Sequence, residues 1–131
     1  MHTHVTATIQ TENYKTIIKS ELNELISDEA VSVGGGGTGF NPHELLAASL
    51  ASCTCITLRM YAERKQWPIE KIDVQVSISK DKVLASTHFE RSITVHGHLS
   101  DEQRDRLLEI ANVCPIHKTL SNGIYINTSI S

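Results

Sequence analysis

The sequence predicts an α+β fold, and three observations carry that prediction. A capped, apolar stretch of about 24 residues from Pro42 reads as one long helix of roughly 36 Å. Two segments after it, Ile69–Lys80 and His88–His98, alternate apolar and polar residues and read as an antiparallel pair. The order of elements is three strands, long helix, two strands, two helices and a strand. That order lacks the regular strand–helix–strand repeats of a parallel sheet. At 131 residues the chain is read as a single domain, 1–131, with one modest core.

Taken in order, THVTATIQ (3–10) is rich in Thr and Val, and Glu12-Asn13 makes a plausible turn. Tyr14–Lys19 is β-branched. Glu21–Ser27 suits a strand or a short helix, and the strand is favoured because helix caps are missing. Val31–Val33 reads as a strand end before the glycines. Gly34, Gly36 and Gly39 formally satisfy G-x-G-x-x-G. In a dinucleotide-binding turn, however, the glycines open the helix itself. Here Phe40-Asn41-Pro42 intervenes and no Lys-Ser/Thr follows, so a flexible loop that brings backbone close to a neighbour is the better reading.

Asn41 suits the N-cap, Pro42 the first helical position, and Glu44 completes an Asn-x-x-Glu capping box. The helix that follows is apolar nearly all the way round, so burial of its whole surface is expected, and its length suggests a core shared with a second copy. Its small residues (Ala47, Ala48, Ser49, Ala51, Ser52) allow close approach, and Trp67-Pro68 ends it. Ser100 and Gln103 form a second capping box for a helix that runs into Cys114-Pro115. Pro115 then opens a short helix over 116–120, which Asn122-Gly123 ends; Ile124–Ile130 alternates and reads as a closing strand.

Composition is that of an ordinary globular chain, with 40% apolar and 21% charged residues. A net charge of −3 without a basic patch argues against nucleic acid as a partner. The longest uninterrupted apolar run is short for a membrane span, and MHTHVTATIQ lacks a basic and apolar leader pattern; no membrane partner and a cytoplasmic location are expected. In a reducing compartment three cysteines are free, metal-bound or redox-active rather than a disulfide framework.

Cys53 and Cys55 are two residues apart on a helix, about 200° around it, so they do not chelate one ion together. A buried cysteine is most often packing. Cys114 stands out because it precedes a proline at a helix junction. There it can cap the helix at Pro115, with His117 and Lys118 within one turn. Cys53 lies about three turns into its helix and needs help from another element or another chain. His2/His4 and His96/His98 are strand-spaced pairs of a kind that can bind zinc, but surface or edge-strand histidines explain them better, since no Cys-x-x-Cys or His-x-x-x-His spacing accompanies them, and no metal is expected. Glu44 has its capping role, and a catalytic role is compatible with it.

Three stretches together resemble the OsmC/Ohr family of thiol-dependent hydroperoxide reductases: Gly39–Ala48 (GFNPHELLAA), Ala51-Ser52-Cys53-Thr54, and Cys114–Leu120 (CPIHKTL). The resemblance runs from about Gly35 to the C-terminus and is nearest the OsmC-like branch. It implies an OsmC-like fold in which antiparallel sheets wrap around long central helices of an intertwined homodimer, with active sites at the interface. It makes Cys53 the peroxidatic and Cys114 the resolving cysteine, and matches Cys55 to neither. Cys53 would reduce an organic hydroperoxide (hydrogen peroxide is the smaller alternative) and become a sulfenic acid. That acid would condense with Cys114 to a disulfide, which an external dithiol reduces, without a cofactor.

Two positions depart from the family pattern. The family carboxylate directly follows the proline, where this chain has His43 and places Glu44 one residue later. The family's activating arginine comes from the N-terminal strands, whereas no arginine precedes Arg59 here; Lys15, Lys19, His2 and His4 are the available cations. His117 stands as a further supporting group. The alternative expectations are a non-enzymatic thiol-redox or small-apolar-ligand-binding protein on the same fold, and a zinc-binding module.

Overall fold

The structure, a computed structural model, describes residues 2–131 and divides into two compact units, the first ending at Leu46 and the second running from Ala47 to Ser131. The first unit is a three-stranded antiparallel meander in the order β1–β2–β3, with β1 at Thr6–Ile9, β2 at Thr16–Lys19 and β3 at Glu24–Ser27. Thr6 faces Lys19, and Thr16 faces Ser27, which fixes the register. The strands are shorter than the sequence suggests. His2 and His4 precede β1 and are exposed, so no strand aligns them. Ser20–Asn23 forms a turn, in which Ser20 N–H donates to the Asn23 carbonyl at 2.8 Å. The strand favoured for Glu21–Ser27 is present from Glu24 onwards.

Val31–Val33 is a 3₁₀ turn and not a strand end. The reason is the buried carboxylate of Asp28, which draws the glycine loop around itself. Asp28 accepts from the backbone N–H of Tyr14, Glu29, Gly36 and Thr38 and from the Thr38 hydroxyl at 2.6 Å. The Thr38 hydroxyl first, and then these amides, hold the Asp28 carboxyl well below the usual carboxylate range against the opposing effect of burial. The loop is therefore wrapped on an internal anion. Gly39 is required there by proximity: a Cβ would overlap the Ile26 carbonyl, and next to it Phe40 pairs with Ser27.

Helix α1 spans Pro42–Lys65. Its capping box is formed: Glu44 N–H donates to Asn41 Oδ1 at 2.8 Å, and Asn41 N–H donates to Glu44 Oε1 at 2.9 Å. The helix ends at Lys65, and Gln66 then turns left-handed at φ 58°. The expectation of burial on all sides is not met within the chain. Only one stripe is buried, made of Leu50, Thr54, Leu58, Tyr61 and Ala62 at three- and four-residue spacing. Leu46, Ile56 and Met60, on other faces, are 40%, 54% and 64% exposed. By length and composition this helix also meets the requirement for crossing a membrane, as apolar core helices of soluble proteins do.

In the second unit β4 (Ile69–Asp81) and β5 (Ser86–Gly97) form a long antiparallel hairpin, with Ile69 opposite Gly97 and Asp81 opposite Ser86. The Asp81 carboxylate accepts from Val83 and Leu84 N–H and ties the turn. Helix α2 (Asp101–Ala111) begins with the Ser100/Gln103 capping box. The core is built from Leu58, Tyr61 and Ala62 of α1, Ile69 of β4, and Leu107 and Ala111 of α2, with Ile72, Ile93 and Val95 packed against it. The short helix α3 covers Pro115–Ser121. The closing strand expected at Ile124–Ile130 is not formed, and Tyr125, Ile126 and Ile130 are 93%, 84% and 98% exposed. Alternation alone does not make a strand: its backbone N–H and C=O rows need a neighbouring edge, and this segment finds none.

Candidate thiol site

The three cysteines are all free and occupy different surroundings. Cys114 is fully buried at the junction of α2 and α3. The sequence places it as the cap of α3, and the structure agrees: its Sγ accepts from His117 N–H at 3.4 Å, with Pro115 at the first helical position. Cys53 is half-buried on α1, and its Sγ lies 3.9 Å from Thr57 Oγ1 one turn on. Cys55 turns towards β4, with its Sγ 4.0 Å from the Ile72 carbonyl. Burial, and then the negative charge of Asp73, push the Cys55 thiol up, which keeps it protonated and poorly nucleophilic.

The group that links these elements is Arg91, which sequence reasoning missed. It projects from β5 and donates four hydrogen bonds. Its Nη1 reaches Thr54 Oγ1 at 3.2 Å and Cys114 Sγ at 3.9 Å. Its Nη2 reaches Asn112 Oδ1 at 3.1 Å and His117 Nδ1 at 3.0 Å. A guanidinium only donates, so His117 Nδ1 accepts and a neutral ring carries its proton on Nε2. Thr54 is fully buried, donates to the Leu50 carbonyl at 2.7 Å, and adjoins Cys53 in sequence. One guanidinium nitrogen thus holds both the residue next to Cys53 and the thiol of Cys114. Its signal in the sequence was positional. Phe89, Arg91, Ile93 and Val95 alternate on the inward side of β5, so Arg91 is a cation in an apolar register.

Beside Arg91 opens a cleft of about 260 Å³, lined by Leu50, Phe89 and Leu120 on its apolar side and by Arg91, His117, Thr87 and Ser121 on its polar side. Leu50 precedes Cys53 by three residues on the same helix, so the two are neighbours on its surface.

The other expected site residues have separate positions. Glu44 is engaged in its capping box in the first unit, and His43 is exposed. His96 pairs with Asp73 at 2.9 Å, and together with Lys71 holds that carboxyl below its ordinary value. Among the described residues no group of three or more His, Cys, Asp or Glu side chains converges as a metal site would.

The fold is of α+β class, with one thiol on its long helix and a second at a Cys-Pro junction, the latter joined through one arginine to Thr54, the residue after Cys53. The chain belongs to the OsmC-like protein family, whose model matches residues 34–129. No curated protein matches it by sequence. Among solved structures it is similar to an osmotic stress induced and detoxification response protein from Psychrobacter arcticus. That match has 27% identity and a TM-score of 0.77, and covers 91% of this chain and 88% of the other. It is also similar to the organic hydroperoxide resistance protein OhrB of Bacillus subtilis, at 26% identity, TM-score 0.61 and coverage of 91% and 90%. An OsmC-like protein from Mycoplasma pneumoniae shares the fold at 20% identity and TM-score 0.79, covering 92% and 88%.

Proposed function

We propose that the protein is a cysteine-based peroxidase for organic hydroperoxides, acting as a cytoplasmic homodimer in defence against oxidative stress. The observation that carries this reading is the Arg91 bridge, which ties the α1 turn bearing Cys53 to the buried thiol of Cys114. In this reading the half-buried Cys53 meets the peroxide. Its thiolate attacks the terminal oxygen, the O–O bond breaks, and the alkoxide leaves and takes a proton to become an alcohol. Cys114 then displaces hydroxide from the sulfenic acid to give a disulfide, and an external dithiol restores both thiols. The matched family and the hydroperoxide resistance protein among the structural relatives support this chemistry. The apolar face of α1 left open at Ile56 and Met60 supports a second copy as its cover, and three unbridged thiols suit a reducing compartment.

The test is consumption of cumene hydroperoxide with a dithiol, together with intact mass after peroxide alone. Wild type should lose two hydrogens per chain and carry a Cys53–Cys114 crosslink. Cys53→Ser should abolish turnover, and Cys55→Ser should leave it unchanged. Equal rates for wild type and Cys53→Ser would remove Cys53 from the mechanism. A second reading, a non-enzymatic binder of small apolar molecules, is favoured by the Leu50, Phe89 and Leu120 wall of the cleft. An unchanged mass after peroxide, with saturable binding of an apolar ligand, would select it.

A further inference from the structure

We propose that Arg91 is the positioning residue of the resolving step: it holds the Cys114 sulfur in place for attack on the Cys53 sulfenic acid and stabilises the negative charge that develops on that sulfur, in the attack and again when Cys114 leaves as the disulfide is reduced. The proposal rests on the peroxidase reading for the reaction it serves, but the pairing of Arg91 with Cys114 stands on geometry alone.

The guanidinium has four acceptors and none is a carboxylate: Thr54 Oγ1, Asn112 Oδ1, His117 Nδ1 and Cys114 Sγ. The ion pairs among the described residues occupy other groups, namely Lys19–Glu24, Lys71–Asp73, His96–Asp73 and Arg106–Glu109. Of these four contacts only the thiol can become an anion, so the guanidinium favours negative charge that develops on the Cys114 sulfur during the reaction. The groups facing Cys114 are Arg91 from β5, His117 from α3, and the neutral Thr54 and Asn112 that fix the guanidinium plane. The fork geometry matters, because Nη1 serves the sulfur while Nη2 is anchored on Asn112 and His117; a lysine ammonium does not reproduce that fork.

The chemistry follows. Cys114 gives up its proton, and its thiolate forms an S–S bond with Cys53 as the S–OH bond breaks. The hydroxide leaves and takes one proton, so the net products are the disulfide and water. In the return step a dithiol thiolate attacks one sulfur and expels the other. The better-stabilised thiolate leaves, so Arg91 directs attack to Cys53, the more accessible sulfur, and expels Cys114. Arg91 thereby sets the order of the cycle without touching the peroxide.

Two measurements test this. In a Cys53→Ser/Cys55→Ser protein, Cys114 is the sole thiol of the three. Thiolate ultraviolet absorbance followed against pH reports it without needing access to the buried sulfur. Adding Arg91→Met should move the rise to higher pH, with about tenfold less thiolate at a given pH below it, the lower end of what an adjacent opposite charge produces. Arg91→Lys should move it less. Circular dichroism reports folding; should Arg91→Met not fold, the Arg91→Lys shift is read in its place. An unmoved profile overturns the pairing. In the protein with all three cysteines, one equivalent of cumene hydroperoxide is added, and crosslinking is read relative to the Cys53 oxidation measured in the same variant. Cys53 sulfenate trapped by dimedone should then accumulate about tenfold in the variant. Crosslinking at the wild-type rate in Arg91→Met overturns the positioning role while leaving the peroxidase intact. Absence of Cys53 oxidation in wild type fails the peroxidase reading instead, and the absorbance profile still decides the pairing.

Discussion

Replacing Thr54 by valine removes a buried hydroxyl that holds Arg91 in the second unit. Thr54 is fully buried, and valine keeps its branched shape while exchanging the hydroxyl for a methyl. Two bonds are lost: the donation to the Leu50 carbonyl at 2.7 Å and the acceptance from Arg91 at 3.2 Å. The first costs little, because the Leu50 carbonyl keeps its helical partner, the Thr54 backbone N–H. The second leaves one guanidinium N–H without an acceptor in a partly buried place, where bonds to charged groups contribute about 1.5–3 kcal/mol. The extra methyl offsets part of this, so Thr54→Val should destabilise by about 1–2 kcal/mol. Urea unfolding measures it: with a slope of about 1–3 kcal/mol/M, the midpoint should fall by roughly 1 M at constant slope. The decisive comparison is a double-mutant cycle with Arg91→Met. Once the guanidinium is gone, Thr54→Val should cost at least about 1 kcal/mol less. Additive costs would refute the claim that Thr54 acts through Arg91.

Two further outcomes are expected. Asp28 has its carboxyl held below the usual range in the folded state, so its ionisation stabilises the first unit fully above the unfolded value of about pH 4 and progressively less as pH falls below it. Asp28→Asn should therefore lower the unfolding midpoint at neutral pH and flatten the loss on acidification, read by denaturation at several pH values; parallel wild-type and variant curves would contradict this. Leu58→Ala, at a fully buried core position, should cost about 2–5 kcal/mol in urea unfolding, more than Thr54→Val; a cost below 1 kcal/mol would mean that α1 does not anchor this core.

The sequence by itself determined what short-range chemistry controls. The Asn41/Glu44 and Ser100/Gln103 capping boxes and the Cys114-Pro115 junction are interactions between residues three or four apart, so their partners are visible in the string. The β4–β5 pair was legible because alternation in two neighbouring segments with a short connection fixes a hairpin locally. Tertiary structure decided the rest. Val31–Val33 became a 3₁₀ turn because Asp28 gathers amides from residues eight to fourteen positions away. Ile124–Ile130 lacks a strand edge to complete it. Above all, Arg91 reaches Thr54, Cys114 and His117 across 37, 23 and 26 residues of sequence, and only the packing of β5 against α1 and α3 turns an arginine in an apolar register into the cation beside a buried thiol. The cysteines were visible in the chain. The charge that distinguishes Cys114 from the other two was not, because electrostatics acts through space and the sequence records only separation along the backbone.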